Sequence, residues 1–87
     1  MAEIEIKQSE RNDAYEFQVR VREETSETRH RVTLSKTTYE RLTGGDVRPE
    51  DLVRESFRFL LEREPKESIL GSFDLSMISD YFPSYER

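Results

Sequence analysis

Between Tyr15 and Leu34 apolar residues fall on every second position, and this alternation constrains the chain more than any other feature. Tyr15, Phe17, Val19 and Val21 alternate with Glu16, Gln18, Arg20 and Arg22. After Glu24-Thr25-Ser26-Glu27 the period returns, with His30, Val32 and Leu34 set against Arg29, Arg31 and Thr33. A period of two sends successive side chains to opposite faces of an extended chain, so each run reads as a strand with one apolar and one wet face. Ile4 and Ile6, among Glu3, Glu5 and Lys7, begin the same pattern, and the polar stretch Gln8 to Asp13 reads as a loop turning at Asn12-Asp13. Three short strands with tight polar connections predict an antiparallel meander from roughly Ala2 to Leu34.

The period then changes. Ser35 suits the N-cap of a helix through Leu42, and Gly44-Gly45 supplies the left-handed stop. Pro49 fits the first turn of a second helix, where a missing N–H costs nothing, and Glu50 and Asp51 favour its positive end. That helix is predicted to reach Arg63 or Glu64, ahead of Pro65. At 100° per residue, Leu52, Val53, Phe57, Phe59, Leu60 and Leu61 span an arc of about 200°, so the helix should be covered on two sides. A shorter segment runs from Pro65 to Leu70. Asp74 reads as the N-cap of a last helix stapled by Phe73 and Ile78 and stopped at Phe82-Pro83, with Leu75, Ile78 and Phe82 as its buried stripe. The expected architecture is α+β: a three-stranded antiparallel β-meander followed by three to four helices packed on one face, in one small domain over residues 1–87.

Only 33% of the 87 residues are apolar and 38% are charged, so the core must be small and each buried side chain matters. With no cysteine, disulfides, thiolate zinc sites and cysteine nucleophiles are excluded, which fits a reducing compartment. The longest apolar run, Phe59-Leu60-Leu61, is far short of the roughly 20 residues of a membrane span. The first residues lack the pattern of a signal peptide, so a cytoplasmic protein is expected.

Catalytic signals are poor. His30 is the single histidine and falls on the inward face, where it reads as a partly buried, hydrogen-bonded residue. No carboxylate sits in an apolar run that would raise its pKa, Asp51/Glu55 reads as a solvated helix face, and Gly44-Gly45-Asp46 lacks the lysine and spacing of a phosphate loop. No enzyme activity, metal or cofactor is expected.

The outward face of the second and third strands carries Arg20, Arg22, Arg29 and Arg31. With Thr25-Ser26 as a two-residue loop, Arg22 faces Arg29 and Arg20 faces Arg31, a local cost of several tenths of a kcal/mol. Glu3 and Glu5 of the first strand offer one offset; an anionic partner held by the planar guanidinium groups offers another. The net charge of −5 opposes non-specific nucleic-acid binding. At the chain end, Tyr81, Phe82 and Tyr85 read as rings that close the core, or, exposed together, as a protein interface.

Two resemblances accompany these readings. Arg29-His30-Arg31-Val32-Thr33-Leu34-Ser35, Tyr39-Glu40-Arg41-Leu42, a glycine turn, and Pro49-Glu50-Asp51-Leu52-Val53-Arg54-Glu55 through Leu60-Leu61 resemble the ribbon-helix-helix DNA-binding regulators. That resemblance implies that Arg29, Arg31 and Thr33 read the major groove from a two-chain ribbon. The run from Phe59 to Leu70, with Ser72-Phe73-Asp74-Leu75, Ile78, Tyr81-Phe82-Pro83 and Tyr85-Glu86, is similar to a small bacterial family of uncharacterised proteins, which implies no activity. The leading expectation is a non-enzymatic interaction module with a protein partner, as monomer or homodimer. The alternative is a ribbon-helix-helix-like transcriptional regulator.

Overall fold

A computed structural model describes residues 2–81, with the side chains of Ser79 and Tyr81 left aside. Its elements run β1 (Glu3–Arg11), β2 (Ala14–Glu23), β3 (Ser26–Ser35), α1 (Lys36–Thr43), α2 (Pro49–Leu61), a single 3-10 turn (Lys66–Ser68), β4 (Ser72–Asp74) and α3 (Met77–Tyr81). The strands form one mixed sheet in the order β1-β2-β3-β4, antiparallel except for the parallel β3–β4 pair. The α+β class agrees with the sequence pattern, but the sheet has four strands rather than three. Its helical mass lies in α1 and α2; beyond Leu61 the chain forms one 3-10 turn and a five-residue α3 instead of two further full helices.

The meander departs from its expected form in two places. β1 does not end at Gln8, because its pairing with β2 continues to Arg11↔Ala14 and only Asn12-Asp13 is left to turn. The polar side chains from Gln8 onward lie past the core, so their polarity marks exposure and not a loop. The second turn is Glu24-Thr25, flanked by the pair Glu23↔Ser26, with Glu24 at a left-handed φ of 51°. The register therefore moves by two residues from the expected one: Arg20 faces Arg29, Gln18 faces Arg31 and Arg22 faces Glu27. A shift of two keeps every side chain on its predicted face.

Phe17, Val19, Val21, Val32 and Leu34 are buried on one side of the sheet, against Val53, Phe57 and Leu60 of α2. The Ser35 hydroxyl caps α1 by accepting from Thr38 N at 3.0 Å, and Gly44 ends it at φ 67°. Pro49 opens α2 with Glu50 and Asp51 in its first turn, as expected. The wide apolar arc of α2 is only half covered. Val53, Ser56, Phe57 and Leu60 are buried, while Leu52, Phe59 and Leu61 stay half-exposed and the Arg63 guanidinium lies 3.6 Å from the Phe59 ring centre.

Asp74 does not cap a helix at this point. Phe73 pairs with Val32 in β4, and the Asp74 carboxylate accepts from the Thr33 hydroxyl at 2.9 Å and from Ser76 N at 3.0 Å, which delays α3 to Met77. Leu75 and Ile78 are buried as predicted; Phe82 lies outside the described residues. Lys66, 4% exposed, reaches Glu67 at 2.7 Å and Glu23 at 3.3 Å, and so fastens the 3-10 turn to the end of β2. No helix among the described residues is long and apolar enough to cross a membrane.

Candidate functional site

Because strands in register carry their side chains in rows, the outward face of the sheet can be read row by row. The first row is Glu3–Arg22–Glu27, and the second is Glu5–Arg20–Arg29. The third is Lys7–Gln18–Arg31–Ser72, and the fourth is Ser9–Glu16–Thr33–Asp74. The two middle rows hold Lys7, Arg20, Arg29 and Arg31 against the single carboxylate of Glu5. The outer rows carry net negative charge. A cationic band thus crosses β1 to β3 between two acidic margins. All four predicted arginines share this face, and three of them lie in the band.

Their partners differ. Arg20 meets Glu5 at 2.6 Å and Arg22 meets Glu3 at 2.8 Å, so β1 supplies the neutralising carboxylates expected for these two. The hydrogen bond from Arg20 holds Glu5 below the ordinary carboxylate value, and the bond to Glu3 pushes Arg22 up. Arg29 is paired along its own strand with Glu27 at 3.0 Å, and Arg31 approaches Glu16 at 3.7 Å. Both contacts are made through Nε. The Nη groups of Arg29 and Arg31 make no hydrogen bond among the described residues, and their side chains are 77% and 59% exposed. Lys7 is exposed and has no ion pair among the described residues. Lys7, Gln18, Arg20, Arg29 and Arg31, together with Gly71 and the carboxylate of Glu5, line a groove of about 550 Å³.

Beneath this groove lies His30. It is 4% exposed, stacked at 5.3 Å from Phe57, and bonded through Nδ1 to the Leu70 carbonyl at 2.7 Å and through Nε2 to Thr28 Oγ1 at 2.9 Å. A carbonyl only accepts, so Nδ1 carries the proton, and in the neutral ring Nε2 accepts from the Thr28 hydroxyl. Both nitrogens are thus committed to structure. The ring supports the backbone under Arg29 and Arg31, as the inward position of His30 predicts.

A second concavity, about 430 Å³, lies between α2 and the segment Ser68–Ile78, lined by Leu60, Ile69, Leu70, Phe73, Met77 and Ile78. Of the aromatic interface candidates, Phe82 and Tyr85 lie outside the described residues, and Tyr81 is described only as the end of α3. No group of three His, Asp or Glu among the described residues is placed to hold a metal.

The strand singled out by the ribbon-helix-helix resemblance does project Arg29, Arg31 and Thr33 outward. It is, however, enclosed by β2 and β4 of its own chain, and Thr33 is tied to Asp74. Comparison with protein-family models, with curated proteins and with solved structures returns no match.

Proposed function

We propose that this chain is a non-enzymatic interaction module that binds a protein partner through the outward face of its sheet. One observation carries the reading: Arg29 and Arg31 stand side by side on β3, highly exposed, with Nη groups that no described residue engages, next to an exposed Lys7. Guanidinium forks of this kind match the planar carboxylates of an acidic protein segment. The overall charge of −5 works against long polyanions, and the enclosure of β3 works against a ribbon shared between two chains.

The test is crosslinking and affinity capture from native cells with the wild-type chain and Arg29→Glu/Arg31→Glu, each with and without nuclease. A protein retained by the wild type, lost by the double variant and indifferent to nuclease supports the reading. Retention by the double variant overturns it. Capture abolished by nuclease, together with direct binding of a DNA duplex that weakens steeply with salt, favours the regulator instead.

A further inference from the structure

The charged rows bound the site in two directions. Alternate residues along a strand are about 7 Å apart and neighbouring strands about 4.8 Å, so the two cationic rows from β1 to β3 cover a patch of roughly 7 by 10 Å. A chain laid along β3 would leave this patch at either end. In one direction it meets Glu27, and in the other it passes Glu16 and Asp74. A chain laid across the strands over Lys7, Gln18 and Arg31 meets no carboxylate and leaves at the neutral Ser72 or over the free edge of β1, whereas the neighbouring path over Arg29 and Arg20 ends on Glu5. Crossing the strands along the Lys7–Arg31 row meets attraction and then nothing; tracking along them meets repulsion.

We infer that the occupant is a short acidic peptide segment of about three to four residues lying across β1, β2 and β3, its length set by the span of the cations at about 3.4 Å per extended residue. The inference rests on the protein-binding reading above and adds the size and direction of the ligand. Arg29 and Arg31 bind its carboxylates through their Nη groups, Lys7 adds a third cation, and Glu16 and Glu27 act as repulsive flanks on either side of its path. A polyanion gains nothing from its extra length here, which separates this surface from one that tracks a nucleic-acid backbone.

The experiment measures fluorescence anisotropy of labelled peptides holding two, four, eight and twelve consecutive glutamates between glycine-serine flanks, with a twelve-residue oligothymidine alongside, at low salt. Binding should tighten by about tenfold from two glutamates to four and by less than about twofold from four to twelve, as expected when only nearby unscreened charges contribute. In Glu16→Gln/Glu27→Gln binding should tighten at every length while the plateau stays at four, because these carboxylates flank the crossing path and do not cap its ends. Affinity that keeps rising beyond four in the wild type, or oligothymidine bound more tightly than the four-glutamate peptide, overturns the short crossing segment. No binding at any length, with Arg29→Glu/Arg31→Glu behaving like the wild type, overturns the underlying reading as well.

Discussion

His30 and Leu70, forty residues apart, are joined by a 2.7 Å hydrogen bond from the imidazole Nδ1 to the backbone carbonyl. This bond ties the segment that leads into β4 to the strand that carries Arg29 and Arg31. His30→Phe keeps an aromatic ring against Phe57 but leaves the Leu70 carbonyl without its donor. The expected loss is about 1–3 kcal/mol in urea unfolding, with Thr28→Val costing about 1 kcal/mol. A His30→Phe protein as stable as the wild type would show that water replaces the ring.

Two glycines should respond in opposite directions to alanine. Gly44 sits at φ 67° with open space around its absent Cβ, so Gly44→Ala meets no clash and loses only the conformational preference, about 1–2 kcal/mol. Gly71 is equally open but has no left-handed φ, so Gly71→Ala should be neutral or stabilising by about 0.4–1 kcal/mol through a less flexible unfolded chain. Denaturant midpoints of the two single variants decide the point.

Stability should fall in acid. Arg20 holds the Glu5 carboxyl, and Lys66 the Glu67 carboxyl, below the ordinary value of 4.5, so both bind protons less readily folded than unfolded. Their contribution is present above that value and is lost as pH drops through the depressed folded values. Both groups are exposed, so the effect is modest. Glu5→Gln, which mimics the protonated carboxyl, should lower the unfolding midpoint modestly at pH 7 and converge with the wild type as pH falls below about 4.5, so that its acid decline is flatter.

Phe57 is fully buried, 5.3 Å from the His30 ring and 6.0 Å from the Phe73 ring. Phe57→Ala should cost about 3–5 kcal/mol, a large share of the total for a domain this size. Phe59→Ala, two residues on but half-exposed under Arg63, should cost distinctly less. Equal losses in thermal or urea unfolding would mean that the outer side of α2 is packed as firmly as the inner.

The pleat explains how much of this fold is legible in the sequence. Period two obliges Phe17, Val19, Val21, Val32 and Leu34 to share a face, and the four arginines to share the other, whatever the register. Which arginine meets which depends on a turn beginning at Glu24, a residue with no marked preference for the left-handed φ it adopts. The charged face is therefore readable, whereas its cationic rows and acidic margins are not. β4 gives no sign because three residues cannot display an alternation, and Ser72-Phe73-Asp74 resembles the start of a helix as closely as a strand. Lys66 is hidden for a different reason: its burial depends on Glu23, far away in sequence, and nothing local marks it.

The parallel pairing of β4 also sets a schedule. Thr33 and Asp74 are 41 residues apart, and this contact closes only after α1 and α2 have been laid down between them. So short a strip, flanked by the bonds from Arg31 N to Gly71 O and from Leu75 N to Thr33 O at 2.8 Å each, should be the part of the sheet that opens first and re-forms last. One of these two flanking amides belongs to Arg31. Hydrogen exchange at Arg31 and Leu75 should thus run ahead of the amides joining β2 to β3, so that the cationic face is renewed each time β4 lifts and settles, and a ligand that grips Arg31 slows that exchange without touching β4.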